Sequence, residues 1–380
     1  MIDDLARLTP DLVTLGWDDE LERWANDEGA VEDELAKGRI ARVSKGFSLV
    51  FTGGDAVLAA SGSTRTRTDL APATGDYVIV ADDEEDGPSV AAIAPRRSAL
   101  SRRAAGRVPE AQVLAANVDS VFVMHGLDRE INIRRIERQL VVTWDSGAEP
   151  VIVLTKADTV EGGADAVAEA AAEVAAVAPG VTVVTVSPVT GQGMDEIESR
   201  VRADRTVAMM GLSGIGKSTL VNALTDGEVQ RTGEVRAADR RGRHTTVTRD
   251  LIPIPGGGFV IDTPGIREIG LWQAYDGLAK TFPEISAEVD RCRFADCEHR
   301  NEPGCAINQA RGEGLIEERR LEHWRDLMAE LTLQETQLEE FARRSESRDR
   351  ADAERRRDAE RPNKRSRTKP RGKGSGRRRR

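Results

Sequence analysis

Residues 211–218 read Gly-Leu-Ser-Gly-Ile-Gly-Lys-Ser, a full match to the phosphate-loop pattern Gly-x-x-x-x-Gly-Lys-[Ser/Thr]. Glycines at Gly211, Gly214 and Gly216 let the backbone turn tightly and aim its N–H groups inward, where they attract polyphosphate. Leu212, Ser213 and Ile215 complete the loop, and Thr219 continues it into the following helix. Lys217 is suited to reach the terminal phosphates and Ser218 to bind Mg²⁺. The apolar run Thr206-Val207-Ala208-Met209-Met210 before the loop and Leu220-Val221-Asn222-Ala223-Leu224 after it predict strand, loop and helix, the context the chemistry requires. The loop predicts a nucleoside triphosphate site without naming the base.

A second motif names it. Thr155-Lys156-Ala157-Asp158 follows an apolar run, and an Asn/Thr-Lys-x-Asp sequence at a strand end suits guanine. The Asp158 carboxylate accepts from guanine N1–H and its exocyclic amine, a donor pair adenine lacks, while the Lys156 stem lies along the base. Thr155 stands where Asn is commoner, which weakens one expected polar contact to the base. Ser187, after the apolar run Val181–Val186, suits the loop that closes over guanine, although Pro188 removes a backbone donor there.

Asp262-Thr263-Pro264-Gly265 follows Gly258-Phe259-Val260-Ile261 and fits the metal and γ-phosphate loop, with Asp262 holding Mg²⁺ through water and Gly265 N–H meeting the terminal phosphate. In many GTPases the next residue is a glutamine that orients the attacking water. Here it is Ile266, which cannot. His244, in the polar segment Arg240–Thr246, is the expected substitute. The guanine motifs precede the phosphate loop, the reverse of the ordinary order, so the sequence predicts a circularly permuted sheet with all contacts retained.

Cys292, Cys297, His299 and Cys305 fall within fourteen residues and include every cysteine of the chain. Three thiolates and an imidazole predict one closed, structural Zn²⁺ site. An odd cysteine count argues against a disulfide framework.

These groups need elements to hold them, and 380 residues suggest two or three domains. From Gly38, five short β-branched runs punctuated by glycine (39–43, 48–51, 56–58, 76–80 and 89–93) predict a small closed barrel of the OB type, a fold that often binds single-stranded nucleic acid. Trp17, Leu21 and Trp24 suggest a short helix packed against the next domain. Arginines 96, 97, 102, 103 and 107 read either as a phosphate-binding cluster or as a solvated linker. Residues 312–342 predict a helix with Leu321, Trp324, Met328 and Leu331 on one face. The net charge of −10 is segregated, since the last twenty residues carry eleven basic side chains and no acid. An acidic body disfavours nonspecific RNA binding, leaving local basic patches to supply any phosphate contacts. No apolar stretch suits a membrane span, and the N-terminus lacks signal-peptide order, so a cytoplasmic chain is expected.

Taken together, the barrel, the Thr155–Asp158 motif ahead of the phosphate loop, Gly242-x-His244-Thr245-Thr246, Asp262-Thr263-Pro264-Gly265-Ile266 and the stretch from Cys292-Arg293-Phe294 to Glu302-Pro303-Gly304-Cys305 resemble the ribosome small-subunit-dependent GTPase A family (RsgA or YjeQ type). The resemblance covers about residues 38–340. It implies an OB-fold barrel, a circularly permuted α/β P-loop GTPase domain and a small helical zinc-binding domain. It also implies late maturation of the small ribosomal subunit, contact with its rRNA, and hydrolysis of GTP to GDP stimulated by that subunit. His244 takes the missing glutamine's role, and Thr245 or Thr246 contacts Mg²⁺ beside Ser218 and Asp262. The expected organisation is an N-terminal extension (1–37), OB domain (38–95), basic linker (96–116), GTPase domain (117–280), zinc domain (281–342) and disordered basic tail (343–380), in a monomer. Two rival functions stand beside it: an RNA-binding scaffold with a structural, slowly hydrolysed nucleotide, and a P-loop ATPase or kinase.

Overall fold

The structure is a computed structural model that describes residues 10–28, 35–61, 70–83, 86–103, 111–201, 205–225, 249–262 and 271–360. It begins with α1 (Asp19–Asp27), whose N-cap Asp18 accepts from the Glu20 and Leu21 N–H groups, a cap worth about 1 kcal/mol. Trp17 packs edge-on against Tyr77 at 6.0 Å and lies 6.5 Å from Trp24. Both indoles therefore sit against the neighbouring barrel, as local packing.

That barrel comprises β1 (Leu35–Ser44), β2 (Phe47–Phe51), β3 (Ala56–Ala60), β4 (Tyr77–Asp83) and β5 (Gly87–Ile93). Strands β1, β2 and β3 pair antiparallel, β3 meets β5 in parallel at Ala60 and Ser89, and β4 closes the ring between β5 and β1. This is the OB-fold circuit, filled by Ile40, Val50, Ala59, Val78, Val80, Val90 and Ile93. Closure makes β1 bend, with a register shift between Ile40 and Arg42. Gly38 permits the bend, because a Cβ there would lie 2.5 Å from Phe51 O.

The described part of the arginine-rich stretch is tied into the fold. It contains a hairpin of β6 (Ala99–Arg103) and β7 (Ala111–Ala116). Arg96 chelates the buried Asp76 at 2.7 and 2.8 Å, and Arg97 bridges Asp18 and Glu20 at 2.6 and 3.0 Å. Those two charges are spent on the fold; Arg107 lies outside the described residues.

A second group of strands follows: β8 (Ser120–Gly126), β9 (Glu149–Thr155), β10 (Thr182–Thr185), β11 (Thr206–Met210), β12 (Asp250–Pro253) and β13 (Phe259–Asp262), in the spatial order β10-β9-β8-β11-β13-β12. All are parallel except β12. Helices α2 (Ile133–Asp145), α3 (Gly163–Val177), α4 (Met194–Val201) and α5 (Lys217–Leu224) supply the crossovers. The central strands are apolar through consecutive positions because both faces are covered: Val121, Val123, Ile152 and Leu154 join one core, while Phe122, Met124, Val151 and Val153 join the other. Strand β12 also pairs with β1 at Asp250 and Arg42, so barrel and parallel sheet form one eleven-stranded sheet.

Beyond the sheet come α6 (Tyr275–Thr281), α7 (Pro283–Val289), α8 (Ala306–Gly312) and α9 (Glu318–Glu360). The helix expected over 312–342 starts later and runs further. Leu321, Trp324, Leu327 and Leu331 are buried, with Met328 partly so. Contacts divide the chain between Thr332 and Leu333. The second unit is, in its described part, the helix from Leu333 onward, carrying Glu–Arg pairs one turn apart at Glu339–Arg343, Glu340–Arg344 and Glu346–Arg350. Each such pair adds a few tenths of a kcal/mol to helix stability. Among the described residues no helix is long and apolar enough to cross a membrane.

Candidate nucleotide site and metal centre

The carboxyl ends of parallel strands are where an α/β sheet binds ligands, and four strand ends of this sheet carry expected site residues. Strand β11 runs into the phosphate loop. Gly211 adopts φ 153°, and a Cβ there would meet Ile215 Cδ1 at 2.2 Å and Met124 O at 2.7 Å. Ile215 is buried and anchors the loop from below, while Ser213, Ser218 and Thr219 remain exposed and Leu212 half-buried. Gly214 and Gly216 take φ 79° and 99°, and Gly216 caps α5. The Lys217 Nζ donates to Gly211 O at 2.8 Å and Leu212 O at 2.6 Å, arching the side chain back over the loop.

Strand β9 delivers the guanine motif. Thr155 is buried, and its hydroxyl lies 2.5 Å from Ile215 O and 3.2 Å from His125 O. The expected weak contact to the base is replaced by a bond to the phosphate-loop backbone. Lys156 has φ 61°, and the 3₁₀ turn Ala157–Thr159 presents an exposed Asp158. Strand β10 leads to Ser187, fully buried, whose hydroxyl accepts from Thr190 N–H at 3.3 Å. Ser187 N–H donates to Gln192 O at 3.0 Å, closing the loop around Pro188.

Strand β13 ends at Asp262. Its pairing with β11 sets Ile261 beside Ala208, which brings Asp262 level with Met209, two residues before Gly211. Asp262 is 8% exposed, an acid held at the sheet edge beside the phosphate loop. His244, Thr245, Thr246, Gly265 and Ile266 lie outside the described residues, as does the basic tail from Arg361.

Strand β8 contributes residues that the motifs did not reveal. His125 Nε2 lies 2.8 Å from Gln139 Oε1 on α2, and burial pushes its pKa down. Past the strand end, Asp128 accepts from Lys156 Nζ at 2.6 Å. Hydrogen bonds from Arg129 and then Lys156 lower the Asp128 carboxyl to about 2. The sequence signal was slight: an acid two residues past Gly126, visible only once β8 is known to lie beside β9.

The four proposed zinc ligands converge, with all ligand atoms within 4.8 Å of one another. Cys292 follows α7 and Cys305 caps α8, while Cys297 and His299 sit in the intervening turns. His299 Nδ1 lies 3.4 Å from Cys292 Sγ and 3.7 Å from Cys305 Sγ. Its ring packs on Trp324 at 5.6 Å, and its carbonyl accepts from Arg325 on α9. Glu302 accepts from Glu298 and Arg300 N–H groups, stapling the turn. Desolvation and the neighbouring thiols push Cys297 up to about 11, and burial lowers His299 towards the neutral, ligating form. Crowded thiols and a neutral imidazole fit one divalent zinc ion, which such a donor set binds as thiolates.

Comparison with known proteins agrees with this geometry. A family model described as RsgA GTPase matches residues 93–272. The "Small ribosomal subunit biogenesis GTPase RsgA" of Methanosarcina acetivorans is 40% identical over 325 residues, 85% of this chain and 86% of that protein. Its namesake from Streptomyces avermitilis is 41% identical over 321 residues, 84% and 85% of the two chains. Among solved structures, YjeQ from Thermotoga maritima superposes with a TM-score of 0.59 at 25% identity, covering 78% of this chain and 99% of that one. YloQ, described as a circularly permuted GTPase, gives 0.57 at 24% identity over 80% and 97%.

Proposed function

The chain belongs to the RsgA GTPase family, and from that premise we propose that its sheet edge binds and hydrolyses GTP in the biogenesis of the small ribosomal subunit. One observation carries the reading: the guanine motif, the phosphate loop and Asp262 lie at the carboxyl ends of β9, β11 and β13, parallel strands of one sheet with β8 between the first two, although the chain visits them in permuted order. In this reading the N–H groups of residues 211–219 cradle the phosphates, Lys217 leaves its carbonyl partners for the terminal phosphates, and Asp158 reads guanine. Ser187 shapes the loop over the base. Thr155 supports the site from behind by holding Ile215.

Ser218, Thr245 or Thr246 and, through water, Asp262 would hold magnesium, which when bound would neutralise charge on the nucleotide phosphates. Gly265 N–H meets the γ-phosphate, and His244 orients the attacking water in place of a glutamine. Cys292, Cys297, His299 and Cys305 hold one structural zinc ion; no ligand position is left for catalysis. Barrel, GTPase and zinc modules, divided near residues 37, 95, 116, 280 and 342 with the first and last boundaries falling within β1 and α9, belong to one cytoplasmic monomer that contacts rRNA through local basic patches. The tail from Arg361 is the largest of them.

The test is steady-state hydrolysis of GTP and ATP by the full-length protein, with and without small ribosomal subunits, at two salt concentrations. Guanine-selective turnover that rises with subunits and falls with salt supports the reading, since RNA phosphate contacts release counterions. Turnover indifferent to subunits overturns the ribosomal partner and keeps the nucleotide chemistry. Equal use of ATP overturns the guanine assignment.

A further inference from the structure

Lys156 is fixed at both ends. Its backbone holds a left-handed conformation, φ 61° and ψ 36°, uncommon for a residue with a side chain. Thr159 maintains it by donating to Lys156 O from N–H at 3.0 Å and from its hydroxyl at 2.8 Å. At the other end Asp128 grips the ammonium at 2.6 Å, with both side chains 29% exposed. The grip is built into the sheet. Gly126 pairs with Thr155, and Leu127 N–H donates to Thr155 O at 2.9 Å, so the residues past β8 are forced alongside those past β9. Gly126 leaves the room, for a Cβ there would lie 2.4 Å from Asp128 Oδ1 and 3.8 Å from Lys156 Cδ. Arg129 brackets the same carboxylate at 3.3 Å.

We propose that Asp128 is a positioning residue of the guanine site, stretching the Lys156 alkyl stem between two fixed ends so that it is already laid down for the face of the purine ring. The inference rests on the guanine reading above and adds a residue to it. Lysine has more rotamer freedom to lose than most side chains, and a ligand that must freeze it binds less tightly. Asp128 removes that penalty before the nucleotide arrives. Its low pKa keeps the anchor ionised throughout the neutral range. Because the stem meets the ring face and not the exocyclic amine, Asp128 contributes to affinity for purines that share guanine's ring, whereas Asp158 sets the preference for the amine.

The experiment measures dissociation constants and off-rates of GDP, inosine diphosphate and ADP for the full-length protein, using displacement of a fluorescent GDP. Asp128→Ala is expected to weaken GDP and inosine diphosphate alike, by about three- to tenfold, mostly through faster dissociation, and to leave their ratio at the parent value. Lys156→Ala should do the same, and the double variant should bind no worse than Lys156→Ala alone. Asp158→Ala, in contrast, should collapse the ratio. A parent protein that binds ADP as tightly as GDP overturns the guanine reading itself. A guanine-selective parent with Asp128→Ala at parent affinity overturns the positioning role, and so does a double variant whose losses multiply, as general destabilisation would make them.

Discussion

Thr155 shows how a site motif can hold a place by supporting its neighbour. Its one hydroxyl proton is directed at backbone carbonyls, at 2.5 Å from Ile215 O, and the side chain is buried. The contact joins the base-reading strand end to the phosphate loop, two segments sixty residues apart in sequence. Lys217 is likewise satisfied by Gly211 O and Leu212 O, so nucleotide binding exchanges hydrogen bonds and exposes no bare charge. Hydrolysis asks for a different group. Ile266 has no polar atom, and His244 is the histidine nearest a switch motif in sequence. Replacing His244 with Ala is expected to lower subunit-stimulated turnover by about 100-fold or more, the usual contribution of a residue that handles the attacking water. Affinity for GDP should stay within about twofold, because the γ-phosphate and water lie beyond that ligand. Single-turnover GTP hydrolysis with saturating subunits checks it; a stimulated rate equal to the parent's hands the role to another side chain.

Among the elements, α9 does the most to unite the zinc module with the sheet. Arg320 donates to Glu137 at 2.9 Å, Glu284 at 2.6 Å, Val177 O and Thr281 O, and His323 Nδ1 lies 2.5 Å from the other Glu137 oxygen. Glu137 is wholly buried on α2, so its charge is tolerable only with those partners. Near the same end of α9, Arg325 and Trp324 hold His299. Zinc loss should therefore loosen α8 and the start of α9 together. Cys297→Ala is expected to weaken zinc binding, since it removes one of four donors from a site whose binding energy is also folding energy, and to lower the thermal midpoint by several degrees. Metal analysis and calorimetry on the purified variant check this, and unchanged zinc content would remove Cys297 from the ligand set. The Cys/His cluster itself was legible from sequence, because chemistry is written in residue types at short spacing. So were the barrel strands and the P-loop strand, where apolar runs between glycines leave little choice. The role of Arg96 was not: its partner Asp76 is twenty residues away, and only barrel closure brings them together. Nor was the end of α9 visible, since past Leu331 the helix continues on charge pairs where the apolar stripe thins. Asp128 escaped for a related reason, as its function depends on which strand lies beside β9.

At the scale of the first unit, the joint between barrel and GTPase sheet rests on one short strand. Strand β12 pairs with β13 along four residues and with β1 at one, where Arg42 meets Asp250 through two hydrogen bonds of 2.5 and 2.7 Å. Thr74 of the barrel donates to Arg249 O beside it. Deeper in, Arg39 is 1% exposed and donates to Leu15 O, Gly75 O and Asn117 O, with its guanidinium stacked over Tyr77 and Phe259. One buried cation thus gathers the N-terminal segment, the barrel, the residue after β7 and the parallel sheet. The chain enters the sheet from the barrel and reaches β12 only after the phosphate loop, so side chains and edge pairing tie the two modules in addition to the sequence connection. The Arg42 and Asp250 side chains are 5% and 21% exposed, little enough for the pair to escape most solvent screening. Arg42→Ala and Asp250→Ala should each destabilise the protein by about 2–3 kcal/mol, because each leaves a largely buried partner without its counter-charge. The double variant should lose clearly less than the two losses added, giving a coupling energy of about 1–3 kcal/mol in a denaturant-based cycle. Strictly additive losses would mean that the edge pairing of β12 and the Arg39 cluster carry the joint and that the ion pair is incidental to it.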